Sequence, residues 1–206
     1  MVVTSFLTLE KPSQGLYKEK GSKFLAFAYP VKNEVEIKEK LAALRKEYFD
    51  ARHHCYAWMV GAEKKQFRAN DDGEPNHSAG DPILGQIRSK NLTNVLVVVV
   101  RYFGGTKLGV GGLIAAYKTA AEHALEEGKI IEEEVRMQFE WNFPYANMNE
   151  VMRLIKEFDL SLVKQQFDTE CMVWVEVRMA HKEALVTRLQ LLKDLGVSIE
   201  VKLIES

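Results

Sequence analysis

The chain has few cysteines, no long apolar run and almost no net charge. Its two cysteines, Cys55 and Cys171, lie far apart, which argues against a disulfide-stapled secreted fold and for a reducing compartment. The apolar run at residues 95–100 is far too short to cross a bilayer. The first residues lack the basic head and the small-residue cleavage site of a signal peptide. The sequence therefore predicts a cytoplasmic protein with no membrane partner.

The weak charge also limits the class of partner. The net charge of −1 over 206 residues gives no global basic field that would attract nucleic acid from a distance. Residues 1–136 contain 20 Lys and Arg against 18 Asp and Glu, a net charge of +2, whereas the remainder has 8 against 11, a net charge of −3. A site for a polyanion must therefore be a local patch, and we expect it in the first part of the chain.

A glycine-rich segment is the most informative feature that is present. Five of the nine residues at positions 104–112 are glycine. The segment follows a valine-rich run that predicts a strand, and it precedes residues 113–125, whose apolar positions recur at helical spacing. A helix that begins there offers free N–H groups and the positive end of its dipole to an anion. We predict an anion-binding or nucleic-acid-binding site at Arg101, Gly104, Gly105, Lys107, Gly109, Gly111 and Gly112.

Spacing alone does not make this segment a known phosphate loop, because it matches neither G-x-x-x-x-G-K-[ST] nor G-x-G-x-x-G. The alternative is that the glycines only allow a close crossing against a neighbouring element. Two aromatic residues next to the segment, Tyr102 and Phe103, are candidates for stacking on bases.

An acidic stretch could complete the site. Asp71, Asp72 and Glu74 make Mg²⁺ a candidate cofactor, since Mg²⁺ takes one or two carboxylates together with substrate phosphates. The favoured interpretation is an ordinary turn in which an aspartate bonds its own backbone and Gly73 adopts a positive φ. A third interpretation pairs Glu74 or Asp72 with Arg101 or Lys107 and so orders the glycine-rich segment.

His53 and Tyr102 complete a predicted polar site with the three acids, and His53 could act there as an acid, a base or a phosphate donor. His53, His54 and Cys55 lack zinc-ligand spacing, and Cys55 is best interpreted as a small buried apolar residue. We therefore predict no bound metal and no catalytic set.

The order of patterned segments predicts an α+β protein with two domains, residues 1–133 and 134–206. In the first domain, Asn33 followed by Glu36 resembles a helix N-cap with its reciprocal partner. The second domain has the order βαββαβ of the ferredoxin-like fold. Its two tryptophans, Trp141 and Trp174, are predicted to lie in the core.

Six ordered motifs, SKFLAFAYPV, HHCYAW, NDDGEP, SAGDPIL, NVLVVVVRYFGGTKLGVGGL and AAY, resemble the YigZ/IMPACT family. The resemblance implies a first domain similar to the second domain of small-subunit ribosomal protein five. It also implies a ferredoxin-like second domain similar to a C-terminal domain of elongation factor G. Its eukaryotic members regulate translation under amino-acid starvation. The family usually has an arginine where this chain has Ala115, and its absence removes one expected phosphate contact.

Together these features predict a noncatalytic regulator or ribosome-associated factor that binds RNA or the translation machinery through the basic glycine-rich segment. One alternative is an enzyme acting on a phosphorylated metabolite or nucleotide, in which Asp72 or Glu74 binds Mg²⁺ and Lys107 steadies the transferred group. Another is a protein–protein interaction module whose contact surface lies on the acidic second domain.

Overall fold

The computed structural model describes residues 2–168 and 170–204 and has an α+β architecture. Clustering of contacts divides the chain into two compact units. The first unit comprises Phe6–Glu133, and the second begins at Glu134 and includes the N-terminal residues up to Ser5. No helix among the described residues is both long and apolar enough to span a bilayer.

The structure describes seven strands and three helices in the part of the chain that ends at Glu134. In chain order they are β1 (Ser5–Leu9), β2 (Ser13–Glu19), β3 (Ser22–Pro30), α1 (Glu34–Glu47), β4 (His53–Val60), β5 (Gln66–Asn70), α2 (Gly80–Ser89), β6 (Val95–Tyr102), α3 (Gly109–Glu126) and β7 (Ile130–Glu134). Five strands form one antiparallel sheet in the order β2-β3-β6-β4-β5. Strands β1 and β7 form a separate two-stranded sheet.

The five-stranded sheet is covered on both faces. Helices α2 and α3 pack on one face around Phe24 and Val97, and α1 packs on the other face around Phe27 and Val98. Because β6 is the central strand, its side chains are buried on both faces from Val95 to Arg101, which explains the uninterrupted valine run. Because the middle of the sheet is buried on both faces, we expect the polar side chains of a functional site at the ends of the strands.

The predicted cap of α1 is present. The Asn33 side chain accepts hydrogen bonds from the N–H groups of Val35 and Glu36, both at 3.0 Å. The Glu36 carboxylate in turn accepts from the N–H of Lys32 at 2.9 Å.

The start of α3 differs from the prediction, which placed the glycines in a loop before residue 113. The helix begins at Gly109, so three of the five glycines lie in its first turn. Gly109 has a φ of +73°, a conformation that favours glycine, and it turns the chain directly into the helix. The connecting loop is therefore only residues 103–108.

The second unit has the predicted element order βαββαβ. Its elements are β8 (Arg136–Phe143), α4 (Met148–Glu157), β9 (Ser161–Phe167), β10 (Cys171–Arg178), α5 (Lys182–Asp194) and β11 (Glu200–Ile204). The strands form an antiparallel sheet in the order β11-β8-β10-β9. Both helices bury apolar side chains in one core with β8 and β10.

The prediction that both tryptophans are core residues is wrong for one of them. Trp141 is fully buried, but Trp174 alternates with the buried Val173 and Val175 and therefore lies on the opposite, open face of the sheet. There its indole N–H donates to Glu140 at 3.0 Å, and the Lys164 ammonium lies 4.5 Å from the ring centre.

Candidate functional site

A cleft lies where β4 begins and β6 ends. The antiparallel register places His53, the first residue of β4, opposite Arg101, near the end of β6. The residues next to this pair in the chain are therefore brought together although they lie about fifty positions apart. We call the resulting depression of about 450 Å³ the strand-end cleft, and its lining residues are Asp50, Ala51, Arg52, His53, Arg101, Tyr102, Phe103 and Lys107.

The cleft brings together four of the predicted site residues, namely His53, Arg101, Tyr102 and Lys107. The glycines at positions 104, 105, 109, 111 and 112 do not line it. Conversely, Asp50 and Arg52 line the cleft but were absent from the predicted set. The signal for them is the antiparallel pairing itself, since residues just before β4 must lie beside the end of β6.

Arg101 is not the free cation that the sequence suggested. Its side chain is 8% exposed, and its Nη1 lies 2.5 Å from Oε1 of Glu74, whose side chain is 4% exposed. The same carboxylate oxygen accepts the hydroxyl of Tyr117 at 2.8 Å. The guanidinium carbon lies 5.5 Å from the ring centre of Phe24 and 5.7 Å from that of Phe103. The charge of Arg101 is thus compensated within the core, as in the third interpretation of the acidic stretch.

Arg101 still lines the cleft with the small exposed part of its side chain. The Nε atom is buried without a hydrogen-bond partner, whereas Nη1 is bound to Glu74. No hydrogen bond joins Nη2 to a residue that the structure describes.

Asp71 in the acidic stretch has a structural role. Its carboxylate accepts from the N–H groups of Ala79 and Gly80 at 2.9 and 2.8 Å and so caps the start of α2, and it also accepts from His77. Burial by itself raises the pKa of Asp71, but the backbone bonds from Gly80, His77 and Ala79 outweigh it, and the pKa is lowered.

Asp72 also serves the fold. Its carboxylate accepts from the N–H of His54 at 2.7 Å and pairs with Arg45 of α1 at 3.0 Å. Gly73 follows with a φ of +86°, as the turn interpretation requires. Within residues 2–168 and 170–204, no three His, Cys, Asp or Glu side chains converge in a geometry that could hold a metal ion.

This turn also orients His53. The Nδ1 atom of the imidazole lies 2.9 Å from the carbonyl oxygen of Asp72. Because a carbonyl oxygen only accepts, Nδ1 carries the proton, and Nε2 remains for a ligand. His53 is half-buried, so the cleft holds an imidazole fixed at one nitrogen and free at the other.

The two residues after His53 do not contribute to the cleft. The Nε2 atom of His54 is buried without a partner, and burial lowers the pKa of this imidazole. Cys55 is fully buried against the Asp71 carbonyl and the Tyr117 hydroxyl, and burial raises its pKa strongly. Its thiol is therefore an unreactive core group, as the sequence indicated.

The free cations of the cleft are Arg52 and Lys107. Both are exposed, and neither forms an ion pair with a residue that the structure describes. Asp50 binds the Tyr102 hydroxyl at 2.6 Å, and this hydrogen bond raises the pKa of Tyr102 to about 12. Phe103, which also lines the cleft, is 57% exposed. The cleft therefore combines cationic and aromatic groups in a small volume.

The glycines have separate roles. A Cβ atom on Gly104 would lie 1.9 Å from the backbone carbon of Gly21, so this glycine allows a close crossing, as in the alternative interpretation. Gly105 and Gly109 have φ values of +87° and +73°. Gly111 has open space around it and is exposed.

The first turn of α3 has neither a capping side chain nor an acidic residue, so its N–H groups are available to solvent. Ala115, at the position where the resemblance implies an arginine, is exposed in the second turn of this helix.

Comparison with known proteins gives consistent matches. The model of the Impact N-terminal domain matches residues 20–125. The IMPACT family member YvyE of Bacillus subtilis is 30% identical over 153 residues, which cover 74% of this chain and 70% of YvyE. The IMPACT family member YigZ of Escherichia coli is 37% identical over 125 residues, covering 60% of this chain and 61% of YigZ.

A crystal structure described as that of a hypothetical protein superposes with a TM-score of 0.76 at 26% identity, with complete coverage of both chains. The domain match spans half of the chain, and the alignment to YvyE covers more than two thirds of each protein. This chain belongs to the IMPACT family.

Proposed function

We propose that this chain is a noncatalytic, translation-associated regulator that binds RNA through the strand-end cleft. The chain belongs to the IMPACT family, and the resemblance to this family implied a role in translation. The proposal extends to the fold names: the first unit would correspond to the second domain of small-subunit ribosomal protein five, and the second unit to a ferredoxin-like domain. A ribosomal or ribosome-associated RNA would then be the natural partner.

The observation that carries the proposal is the composition of the cleft. Arg52 and Lys107 provide two unpaired charges, and Arg101, fixed by a buried ion pair, lines the cleft with them. Such groups bind phosphates, and each phosphate contact contributes to affinity through release of counterions. The exposed ring of Phe103 offers a surface on which a base can stack, which is typical of single-strand binding.

The glycine-rich segment contributes Lys107 and the first turn of α3 to this proposed site. Lys107 lines the cleft and precedes the start of α3 by two residues, so it connects the cleft with the uncapped first turn of that helix. A strand held in the cleft could extend a phosphate to those N–H groups. The principal contact nevertheless moves from the predicted glycines to the cations at the ends of β4 and β6.

The test is the salt dependence of binding to single-stranded RNA. Arg52→Ala combined with Lys107→Ala removes two phosphate contacts, so the slope of log Kobs against log salt should fall by 2 × 0.7, or about 1.4. Arg101 is left intact, because its removal would leave Glu74 buried and unpaired. A slope equal to that of the unmodified protein would contradict the proposal.

The matched control changes two exposed lysines outside the cleft. Lys38→Ala with Lys65→Ala removes the same charge, and both side chains are more than three quarters exposed. This variant should keep the original salt slope, since neither residue lines the cleft. An equal decrease of the salt slope in both variants would mean that RNA binding depends only on the overall charge of the protein.

The enzymatic alternative assigned Mg²⁺ to Asp72 or Glu74. Both carboxylates bind protein groups, so a metal would first have to replace the bonds to Arg45, His54 or Arg101. The alternative of a protein-binding module is distinguished by nuclease treatment: a protein partner captured by the chain stays bound after RNA is digested, and an RNA partner does not.

A further inference from the structure

One group in the strand-end cleft does not fit a site built only for phosphate. Among the described residues that line the cleft, Asp50 is the only acid, and it is exposed. It does not compensate the guanidinium of Arg101, which already pairs with Glu74. Nor does it form an ion pair with Arg52, two positions away. A carboxylate that neutralises no cation and repels phosphate needs another explanation.

The orientation of Asp50 supplies one. Its Oδ1 atom accepts the Tyr102 hydroxyl at 2.6 Å, a short bond of the kind made to charged acceptors. Its Oδ2 atom has no partner among the described residues. The carboxylate is therefore held by one oxygen and presents the other as an acceptor to water or to a ligand that brings a hydrogen-bond donor.

The guanidinium of Arg101 lies on the other face of the same strand end. Tyr102 packs with the apolar cluster that α1 covers, whereas Arg101 packs on Phe24 in the cluster under α2 and α3. The Asp50–Tyr102 pair and Arg101 therefore line the same cleft from opposite faces of β6. A ligand that contacts both carries an anionic group and a neutral donor at separate points, as a ribonucleotide does with its phosphate and its 2′-hydroxyl.

We propose that Asp50, oriented by Tyr102, accepts a hydrogen bond from a ribose 2′-hydroxyl and so makes the cleft selective for RNA over DNA. This inference rests on the proposed RNA-binding function and adds its sugar specificity. The 2′-hydroxyl is the group by which a protein distinguishes the two nucleic acids at a given site. A hydrogen bond to a charged acceptor is strong enough for about a tenfold preference.

The first test changes only the ligand. Ten-residue oligomers of uridine, deoxyuridine and 2′-O-methyluridine carry the same bases and backbone charge, and binding is measured at one salt concentration. We expect the uridine oligomer to bind about tenfold more tightly than the other two. If the 2′-O-methyl oligomer binds as tightly as the uridine oligomer, the inference is overturned. Failure of all three to bind would instead overturn the proposed RNA-binding function.

The second test changes the protein. Asp50→Ala should bind the deoxyuridine oligomer more tightly, because a repulsive charge is lost, and should reduce the RNA preference to about one. Tyr102→Phe keeps the charge of Asp50 but removes the hydrogen bond that orients its carboxylate. This variant should lower the preference for RNA over DNA without strengthening DNA binding. Asp194→Ala, in the second unit, is the control with the same charge change and should keep the tenfold ratio.

A structural role of the Asp50–Tyr102 bond would change RNA and DNA affinities equally, and an unchanged ratio in Asp50→Ala would therefore overturn the assignment. Uridine monophosphate is titrated in parallel. If it binds as tightly as the uridine oligomer, the cleft takes a free ribonucleotide rather than a strand, and the assignment to RNA is overturned.

Discussion

The buried ion pair between Arg101 and Glu74 makes a sharp prediction about stability. Glu74→Gln keeps the size of the side chain and an oxygen that can accept the Tyr117 hydroxyl, but it leaves the guanidinium of Arg101 without a countercharge. The two side chains are 8% and 4% exposed, so solvent cannot replace the lost carboxylate. Removing one partner of such a pair costs about 3–5 kcal/mol, a large fraction of the total stability of a domain, which is about 5–15 kcal/mol.

Native-state hydrogen exchange measures this loss in the unit where it occurs. At 1.36 kcal/mol per factor of ten, exchange of the β6 amides should be faster by about two to four powers of ten in Glu74→Gln. Peptides from β10, in the second unit, are the internal control and should keep the original rate. The double variant Glu74→Gln with Arg101→Met removes both charges and should restore most of the protection.

A change of less than tenfold in the β6 amides of Glu74→Gln would refute this reasoning. It would mean that water reaches the guanidinium through the cleft and solvates it. In that event Arg101 would count among the free cations, and its removal should then weaken RNA binding as much as removal of Arg52.

Two further predictions concern the residues that shape the cleft. Gly104→Ala places a Cβ atom 1.9 Å from the opposing backbone and should lower the midpoint of thermal unfolding. Gly111→Ala, with open space around it, is the control and should leave the midpoint equal or slightly higher. A similar effect of both substitutions would contradict the close crossing at Gly104. The pKa of Asp71 is lowered, so its stabilising bonds to Ala79 and Gly80 are complete above the usual value of 3.8 and are lost as the pH falls through the lower folded-state pKa. Asp71→Asn should therefore reduce the free energy of unfolding, measured in urea at about pH 6. The difference in unfolding free energy between this variant and the unmodified protein should shrink as the pH falls below about 4. A difference that stays constant with pH would contradict the role assigned to this carboxylate.

The elements of the fold were predictable where a local pattern determines them. The valine run became the central strand β6, and Asn33 caps α1 through its own side chain. The βαββαβ order followed from alternating and helical periods in the second half. Trp174 was assigned to the wrong face because both faces of β10 carry apolar residues, and only the buried valines on either side settle which face is covered.

The site was less predictable because it depends on pairing between distant residues. Sequence proximity grouped Arg101 with the glycines that follow it, but the register of β4 with β6 groups it with Arg52 and Asp50. The charge of Arg101 is compensated by Glu74, 27 positions away in the chain, and no local sequence pattern predicts that ion pair. The position of α3 was missed for a different reason: glycine weakens a helix on average, yet the first turn tolerates it.

The acidic stretch explains how the core and the cleft are connected. Asp71 fixes the start of α2, Asp72 ties β4 to Arg45 of α1, and Glu74 fixes the guanidinium that reaches the cleft. The carbonyl of Asp72 also holds the ring of His53. Since one turn bonds three helices or strands and two cleft residues, a substitution there alters the geometry of the cleft without touching its ligand. Under the proposed function, loss of RNA binding after such a substitution therefore reports positioning, whereas a loss after substitution of Arg52, Lys107 or Asp50 reports direct contact.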